Sequence, residues 1–305
     1  MLDYAGLEAL AAVLREGSFD RAARKLHVTP SAISQRVKQL EERVGQVLVL
    51  RGQPCSGTEA GRRLVLHVEQ VALLENELRR HNPELVPEGQ VPRPTLKLAV
   101  NADSLNSWFV DAMAAFTRDG NELLDISIDD QDHTAKRIKE GEVMAAITAS
   151  SNHITGCNTW PLGRMRYVAA ASPEFIARHF PDGLTKEAMA VAPMLAYGRK
   201  DGMQDKWLQQ QGLASRTASP RHWLPSAHAF VRACEASVGW SMQPTVLIQR
   251  YLDAGTLVEL CPGSDMVVDL YWAHARNAQA GLERLTQCMI NAARNWLDPM
   301  PASTD

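Results

Sequence analysis

Between Thr29 and Lys38 the chain reads Thr-Pro-Ser-Ala-Ile-Ser-Gln-Arg-Val-Lys, and its polar members favour one kind of chemistry. Thr29, Ser31, Ser34 and Gln35 offer short neutral hydrogen-bonding groups, while Arg36 and Lys38 add cations, a mixture that suits base edges and phosphates. A second set of polar residues lies further on, in Asn101-Ala102-Asp103-Ser104 with Trp108 one helical turn later, in Asp129-Asp130-Gln131-Asp132, and in Pro225-Ser226-Ala227-His228. Each of these loops precedes a stretch with a helical pattern, and the first two directly follow a strand, which is where open α/β sheets bind small ligands. Ser104 and the amides beside it can hold a carboxylate, and Asp103 can pair with an ammonium or simply cap the helix. Three carboxylates in four residues repel one another unless a cation arrives. Asp129 and Asp130 therefore read either as partners of a cationic ligand group or as a solvated acidic turn. A metal site is the weaker reading, since only His133 adds a further ligand at suitable spacing. Ser226 would donate to a ligand carboxylate from the far side of a cleft.

The first set needs a helix to present it. Thr29 supplies an N-cap hydroxyl and Pro30 a fixed φ for the first turn. Ile33, Val37, Leu40 and Val44 then recur at spacings of four, three and four, one face of a helix of period 3.6, which leaves Ser31, Ser34, Gln35 and Lys38 on the other. Ser18 can cap a shorter helix with Phe19, Ala22, Ala23 and Leu26 as its stripe. Only His27-Val28-Thr29 joins the two, a helix-turn-helix spacing that an ordinary helical hairpin would also satisfy. Leu7, Leu10, Ala11 and Leu14 mark an earlier helix that would pack behind both.

From Glu59 to about His81 the residues Leu64, Val68, Val71, Leu74 and Leu78 form the stripe of a long amphipathic helix. Its cover is either a second copy of the helix or the C-terminal part of its own chain. Pro83, Pro87, Pro92 and Pro94 follow, with Gly89 among them, and at that density they mark a hinge. Beyond Thr95, strands and helices alternate. Leu96–Val100, Leu124–Ile128, Val143–Thr148, Tyr167–Ala171, Met194–Tyr197, Arg221–Leu224 and Val238–Met242 read as strands. Helices are expected over Leu105–Phe116 and Thr134–Lys139, and starting at Pro173, Met203, Ser226 and Gln243. This alternation predicts an α/β domain with mostly parallel sheets, long enough for two lobes. The expected domains are a reader (1–58), a linker helix (59–81), a hinge (82–94) and a ligand-binding domain (95–305).

A chain of 305 residues exceeds one hydrophobic core. Residues 1–63 carry ten Lys and Arg against seven Asp and Glu, net +3, so the rest of a chain of net charge −3 carries −6. A basic head on an acidic body suits a nucleic-acid module joined to one that avoids nucleic acid. The five cysteines are odd in number and widely spaced, and are expected to be free thiols, most of them in the core. With no run of eighteen apolar residues and an acidic Asp3 near the start, neither a membrane span nor secretion is expected, and the cytoplasm is the expected location. No cofactor is expected. Enzyme motifs are missing as well: Gly239-Trp240-Ser241-Met242-Gln243 fails the nucleophile-elbow pattern at its last position. A solute-binding protein remains a rival, and salt-dependent binding to duplex DNA separates it from a regulator.

Gly17-Ser18-Phe19, Ala22-Ala23, Lys25-Leu26, Thr29 through Gln35, Leu40-Glu41, Gly45 and Leu48 through Arg51, closing on Thr58-Glu59-Ala60-Gly61, resemble the N-terminal reader of LysR-type transcriptional regulators. One position departs, since Val49 stands where most members have Phe and would fill less of the pocket under the wing. The resemblance implies an α+β multidomain protein. Its parts would be a winged helix-turn-helix with a wing over Gln46–Gly57, a dimerising linker helix, and a two-lobed, periplasmic-binding-protein-like effector domain. Arg51 and Gln53 would reach DNA backbone from the wing. Lobe I would take about 95–163 and 266–305, and lobe II about 164–265, with the chain crossing near Gly163–Arg166 and returning near Pro262–Asp265. Ala99 through Leu105, with Trp108 and Gly141-Glu142-Val143, further resemble the family's arginine- and lysine-responsive branch. That branch implies lysine or arginine as effector and a basic amino-acid exporter gene as target, with RNA polymerase as a further partner. Duplex DNA would be bound by a homodimer or a dimer of dimers, on an interrupted inverted repeat with half-sites about one helical turn apart.

Overall fold

Capping residues decide where the N-terminal helices begin and end. The computed structural model describes residues 3–82, 84, 93–118, 120–128, 134–149, 156–215 and 219–301. Helix α1 (Tyr4–Glu16) opens on the Asp3 carboxylate, which accepts from the Gly6 amide at 3.2 Å, and stops at Gly17 in the left-handed region. Helix α2 (Phe19–Lys25) opens on Ser18, and α3 (Pro30–Val44) on Thr29, whose hydroxyl accepts from the Ala32 amide at 3.2 Å. His27 takes a φ of 54° in the joint between them, letting the chain reverse within a few residues. Leu7, Leu10 and Val13 of α1 then pack on Ala22, Ala23, Ile33, Val37 and Leu40 in one core.

After α3 the chain forms a small wing, β1 (Val49–Leu50) antiparallel to β2 (Ser56–Gly57). The Glu41 carboxylate accepts from the amides of Leu48 at 2.8 Å and Val49 at 3.2 Å, fixing the wing to the end of α3. Helix α4 (Glu59–His81) starts on Thr58. It passes so near the wing that a Cβ at Gly61 would stand 2.1 Å from the Leu48 carbonyl oxygen, so only glycine fits there. The face that α4 buries carries Gly61, Val65, Glu69, Leu73 and Asn76. At 3.6 residues per turn this face lies about a third of the way round from the predicted stripe. Leu64, Val68 and Val71 of that stripe are partly exposed, and Leu74 and Leu78 are about half exposed.

The C-terminal part is built on one mixed sheet of strands β3 (Thr95–Val100), β4 (Leu123–Ile128), β5 (Ala145–Thr148), β6 (Cys157–Ala171), β9 (Ser241–Pro244), β10 (Val258–Glu259) and β11 (Met266–Ala275). Their order is β10-β6-β11-β5-β3-β4, with β9 also on β6. β3 pairs in parallel with β4 and β5, whereas β6 and β11 run antiparallel along one another and link the two lobes. Helices α5 (Ala102–Leu105), α6 (Phe109–Arg118), α7 (Thr134–Lys139) and α13 (Gln279–Arg294) belong to the first lobe. Trp108, Trp272, Leu282, Leu285 and Met289 pack in the main core, which extends into the second lobe. That lobe has a short parallel pair, β7 (Met194–Ala196) and β8 (Arg221–Trp223), with helices α8 (Pro173–His179), α9 (Lys186–Val191), α10 (Met203–Gln210), α11 (Ala227–Glu235) and α12 (Thr245–Asp253).

Several expectations need correction. The sheet is mixed rather than mostly parallel, because two strands must cross between the lobes in opposite directions and β9 and β10 hang antiparallel on the first of them. The strand expected over Tyr167–Ala171 begins ten residues earlier, at Cys157. Pro161 hid that extension; it sits beside a register shift opposite Leu270 and Tyr271, a place where a strand tolerates proline. The single helix expected over Leu105–Phe116 is two, α5 and α6. Between them Asn106 and Ser107 turn their side chains back onto the carbonyls of Ala102 and Asp103 at 2.7 and 2.6 Å, which competes with helix continuation. The strand expected over Val238–Met242 starts at Ser241, and α12 starts at Thr245 instead of Gln243, which lies buried in β9. Helix α9 had no counterpart in the expected set. The cysteines are free, but only Cys234 is buried; the other four are partly exposed.

Candidate functional site: a nucleic-acid interface and a two-lobe cleft

Helix α3 presents its polar side outward, with Thr29, Ser31, Gln35 and Lys38 exposed and Ser34 and Arg36 partly so. The Thr29 hydroxyl is engaged twice, by the Ala32 amide and by Ser31 Oγ at 3.0 Å, so Thr29 positions Ser31 as well as the helix. Lys38 and Glu42 form a fully solvated pair at 3.7 Å, too weak to hold the lysine back from a phosphate. Arg51 and Gln53 are exposed on the wing, with the Arg51 guanidinium stacked over the Phe19 ring at 5.3 Å. A cavity of about 360 Å³ opens between wing and helix, lined by Val49, Val37 and Val47, with Ser34, Lys38 and Arg51 at its polar side. Val49 itself is buried in the reader core.

The second site gathers at the carboxyl ends of β3 and β7. Asn101 ends β3 and caps α5 by position, yet its side chain makes no capping bond; it is buried, and Oδ1 has no partner. Asp103 is not the helix cap. It lies inside α5, partly buried, and its Oδ2 accepts from the Tyr167 hydroxyl of the crossing strand at 2.7 Å. Burial pushes its carboxyl above the usual range, the Tyr167 bond pulls the other way, and the charge of Asp201 adds to the rise. The Tyr167 phenol is pushed well up by burial and by Asp103, and Tyr197 is raised by burial and, to a lesser degree, by the same charge. Asp201 belongs to the loop after β7 in the other lobe. Its carboxylate accepts from the Tyr197 amide at 2.8 Å, the Met203 amide at 3.2 Å and Gln204 Nε2 at 3.3 Å, so it is held in place.

Other expected residues sit elsewhere. Ser104 is fully buried and its Oγ accepts from Trp108 Nε1 at 3.2 Å; Trp108 is itself in the core, so this pair underpins the loop from below. Ser226 is exposed as the cap of α11, accepting from the Ala229 amide at 3.4 Å. Asp129, Asp130, Gln131, Asp132 and His133 lie outside the described residues, as do Pro83, Pro87, Gly89 and Pro92 of the expected hinge. Sequence reasoning missed Tyr167 and Asp201. The strand-end rule, applied to the loop after Met194–Ala196, would have found Asp201; nothing in the sequence points to Tyr167. Among the described residues no group of three metal-ligating side chains forms, and no helix is long and apolar enough to cross a membrane.

The raised Asp103 carboxyl carries a sign that can be tested. Protonated Asp103 is favoured in the fold, so its stabilising contribution is complete below the unfolded carboxyl range and is lost as pH rises through the higher folded value. A cation bound to the carboxylate would offset that loss and displace the proton. Affinity for a cationic ligand is therefore expected to weaken as pH falls, starting above the ordinary carboxylate range, with proton release on binding. Calorimetric titrations in buffers of different ionisation enthalpy would register it, and a pH-independent affinity with no proton release would contradict it.

A basic three-helix head with a wing, joined by a long helix to a two-lobed body with a polar cleft, is the architecture of a ligand-responsive DNA-binding regulator. Two family models match: "Bacterial regulatory helix-turn-helix protein, lysR family" over residues 5–62 and "LysR substrate binding domain" over residues 89–297. The chain belongs to the LysR family of bacterial transcriptional regulators. It is 42% identical over 300 residues to the HTH-type transcriptional regulator ArgP of Pseudomonas fluorescens, covering 98% of this chain and 100% of that protein. Its fold matches the crystal structure of ArgP from Mycobacterium tuberculosis with a TM-score of 0.81 and 40% identity, covering 98% of this chain and 100% of that one. It also matches the full-length regulator LysG of Corynebacterium glutamicum with bound effector Arg, with a TM-score of 0.74 and 32% identity over 97% of this chain and 100% of that one.

Proposed function

We propose that this regulator reads an operator as a dimer or dimer of dimers and changes its engagement with DNA when arginine or lysine enters the cleft. The observation that carries the effector class is the Asp103 carboxylate, partly buried, hydrogen-bonded by Tyr167 and raised further by the charge of Asp201 from the other lobe. Two like charges at a cleft favour a ligand that brings positive charge. The arginine-bound relative and the arginine-named ones support the same class. An exporter gene for the same amino acids is the proposed target, with RNA polymerase engaged there. Leu64 and Val68 pack against the reader core, while Leu74 and Leu78 of the same stripe are about half exposed, which supports pairing of that end of α4 with a second copy. The ligand acts by binding one arrangement of reader and body better than the other.

A thermal-shift panel of the twenty amino acids tests the effector. Ligand binding only to the folded state raises the melting temperature by mass action. A shift confined to arginine and lysine is expected, and no shift from either would move the effector to another metabolite. For the reader, Gln35→Ala is expected to cost about 1–3 kcal/mol of discrimination between operator and mismatched duplex, with thermal stability unchanged because Gln35 is exposed. Unchanged discrimination would give the base contact to Ser31 or Ser34.

A further inference from the structure

Glu69 is a charged residue on the buried face of α4, with its side chain 8% exposed. Its Oε1 lies 3.0 Å from Lys97 Nζ on β3 and 3.8 Å from an Arg15 nitrogen on α1. One buried carboxylate thus meets a cation from the reader and a cation from the effector domain. Lys97 lies four residues before Asn101, so the strand that Glu69 holds at one end carries the cleft loop at the other. Seven residues earlier, on the same face of the helix, Arg62 makes a second bridge. Its Nη1 donates to the Gly57 carbonyl of the wing at 2.8 Å, and its Nε donates to the Glu140 carbonyl, directly after α7, at 3.5 Å.

A buried ion pair adds little stability over an apolar contact of the same shape, because desolvation opposes the attraction. What it does supply is selectivity of arrangement, since misplacing either partner strands a buried charge. We infer that Glu69 is a positioning residue for regulation: it locks the reader and β3 to one side of the linker helix, so that movement of the cleft loop is felt by α1. The inference rests on the basic-amino-acid reading above.

The test uses the full-length protein, with L-arginine as probe, measuring arginine affinity by calorimetry and duplex affinity with and without arginine. Coupling between sites commonly spans roughly 5- to 150-fold, and Glu69→Gln is expected to cut the wild-type value to less than about twofold while arginine affinity stays within about twofold. Lys97→Met should do the same, and it carries the test if Glu69→Gln does not fold, because Lys97 is partly exposed. Glu69→Asp, which keeps the negative charge between Arg15 and Lys97, should retain much of the coupling that Glu69→Gln loses, a difference that a merely structural role would not produce. Full coupling in Glu69→Gln, loss of arginine affinity, or Glu69→Asp no better coupled than Glu69→Gln would overturn the assignment. Wild-type protein whose DNA affinity ignores arginine would instead remove the effector reading itself, and the positioning role with it.

Discussion

Asp103→Asn is expected to weaken arginine or lysine binding by about 2–5 kcal/mol, roughly thirtyfold or more, with duplex binding in the absence of effector unchanged. Asparagine keeps the shape of the side chain and an oxygen to accept from Tyr167, so the crossing strand keeps its contact with α5. What disappears is the charge. That charge is disfavoured in the unliganded fold by burial and by Asp201, so the same substitution should leave the unliganded protein as stable as wild type or more so. Lower affinity with equal or higher melting temperature is the signature of a residue kept for binding at a cost to stability. Calorimetry with arginine and a melting curve on the same preparation measure both halves. Wild-type affinity in the variant would reduce Asp103 to an anchor for Tyr167.

Glu122→Ala should act on the other side of the ledger, destabilising the protein by about 3–5 kcal/mol, toward the lower figure because its two partners keep some water. Glu122 precedes β4 with its side chain 7% exposed. One oxygen accepts from Arg80 at the end of α4, and the other from Arg284 of α13 at 2.6 Å. Arg284 also lies over the Phe116 ring at 3.8 Å and donates to the Phe116 carbonyl. Removing the carboxylate leaves two guanidinium groups facing one another without a counter-charge, and it releases the end of the linker helix from the first lobe. Urea unfolding of variant and wild type gives the difference. A loss below about 1 kcal/mol would mean that both arginines swing into water, as exposed pairs do.

How much of this could be read from the sequence differs sharply between the two ends of the chain. In the reader, local signals agree: Asp3, Ser18, Thr29 and Thr58 cap helices, Gly17 and Gly45 end them, and Ile33, Val37 and Leu40 face inward. The contacts there are between neighbours in sequence, so pattern and fold coincide. The polar face carrying Ser31, Gln35 and Lys38 followed from the same periodicity. Beyond Thr95 the pattern gave strand and helix types but not the sheet. Whether Tyr167–Ala171 continues back to Cys157, and which way it runs beside Met266–Ala275, depends on pairing between residues about a hundred positions apart.

Caps and hydrophobic periods act over a few residues, and they were enough to specify the helix-turn-helix, the outward polar face of α3 and the long helix. Packing between distant segments set what they could not: that Ala102–Leu105 is a helix rather than a loop, which face of α4 is buried, that Ser104 and Trp108 point into the core, and that Tyr167 and Asp201 come to Asp103 from the crossing strand and the other lobe. It also placed Glu69 between Arg15 and Lys97. Those outcomes come from packing between distant segments, where a side chain's role is set by what arrives from elsewhere in the chain.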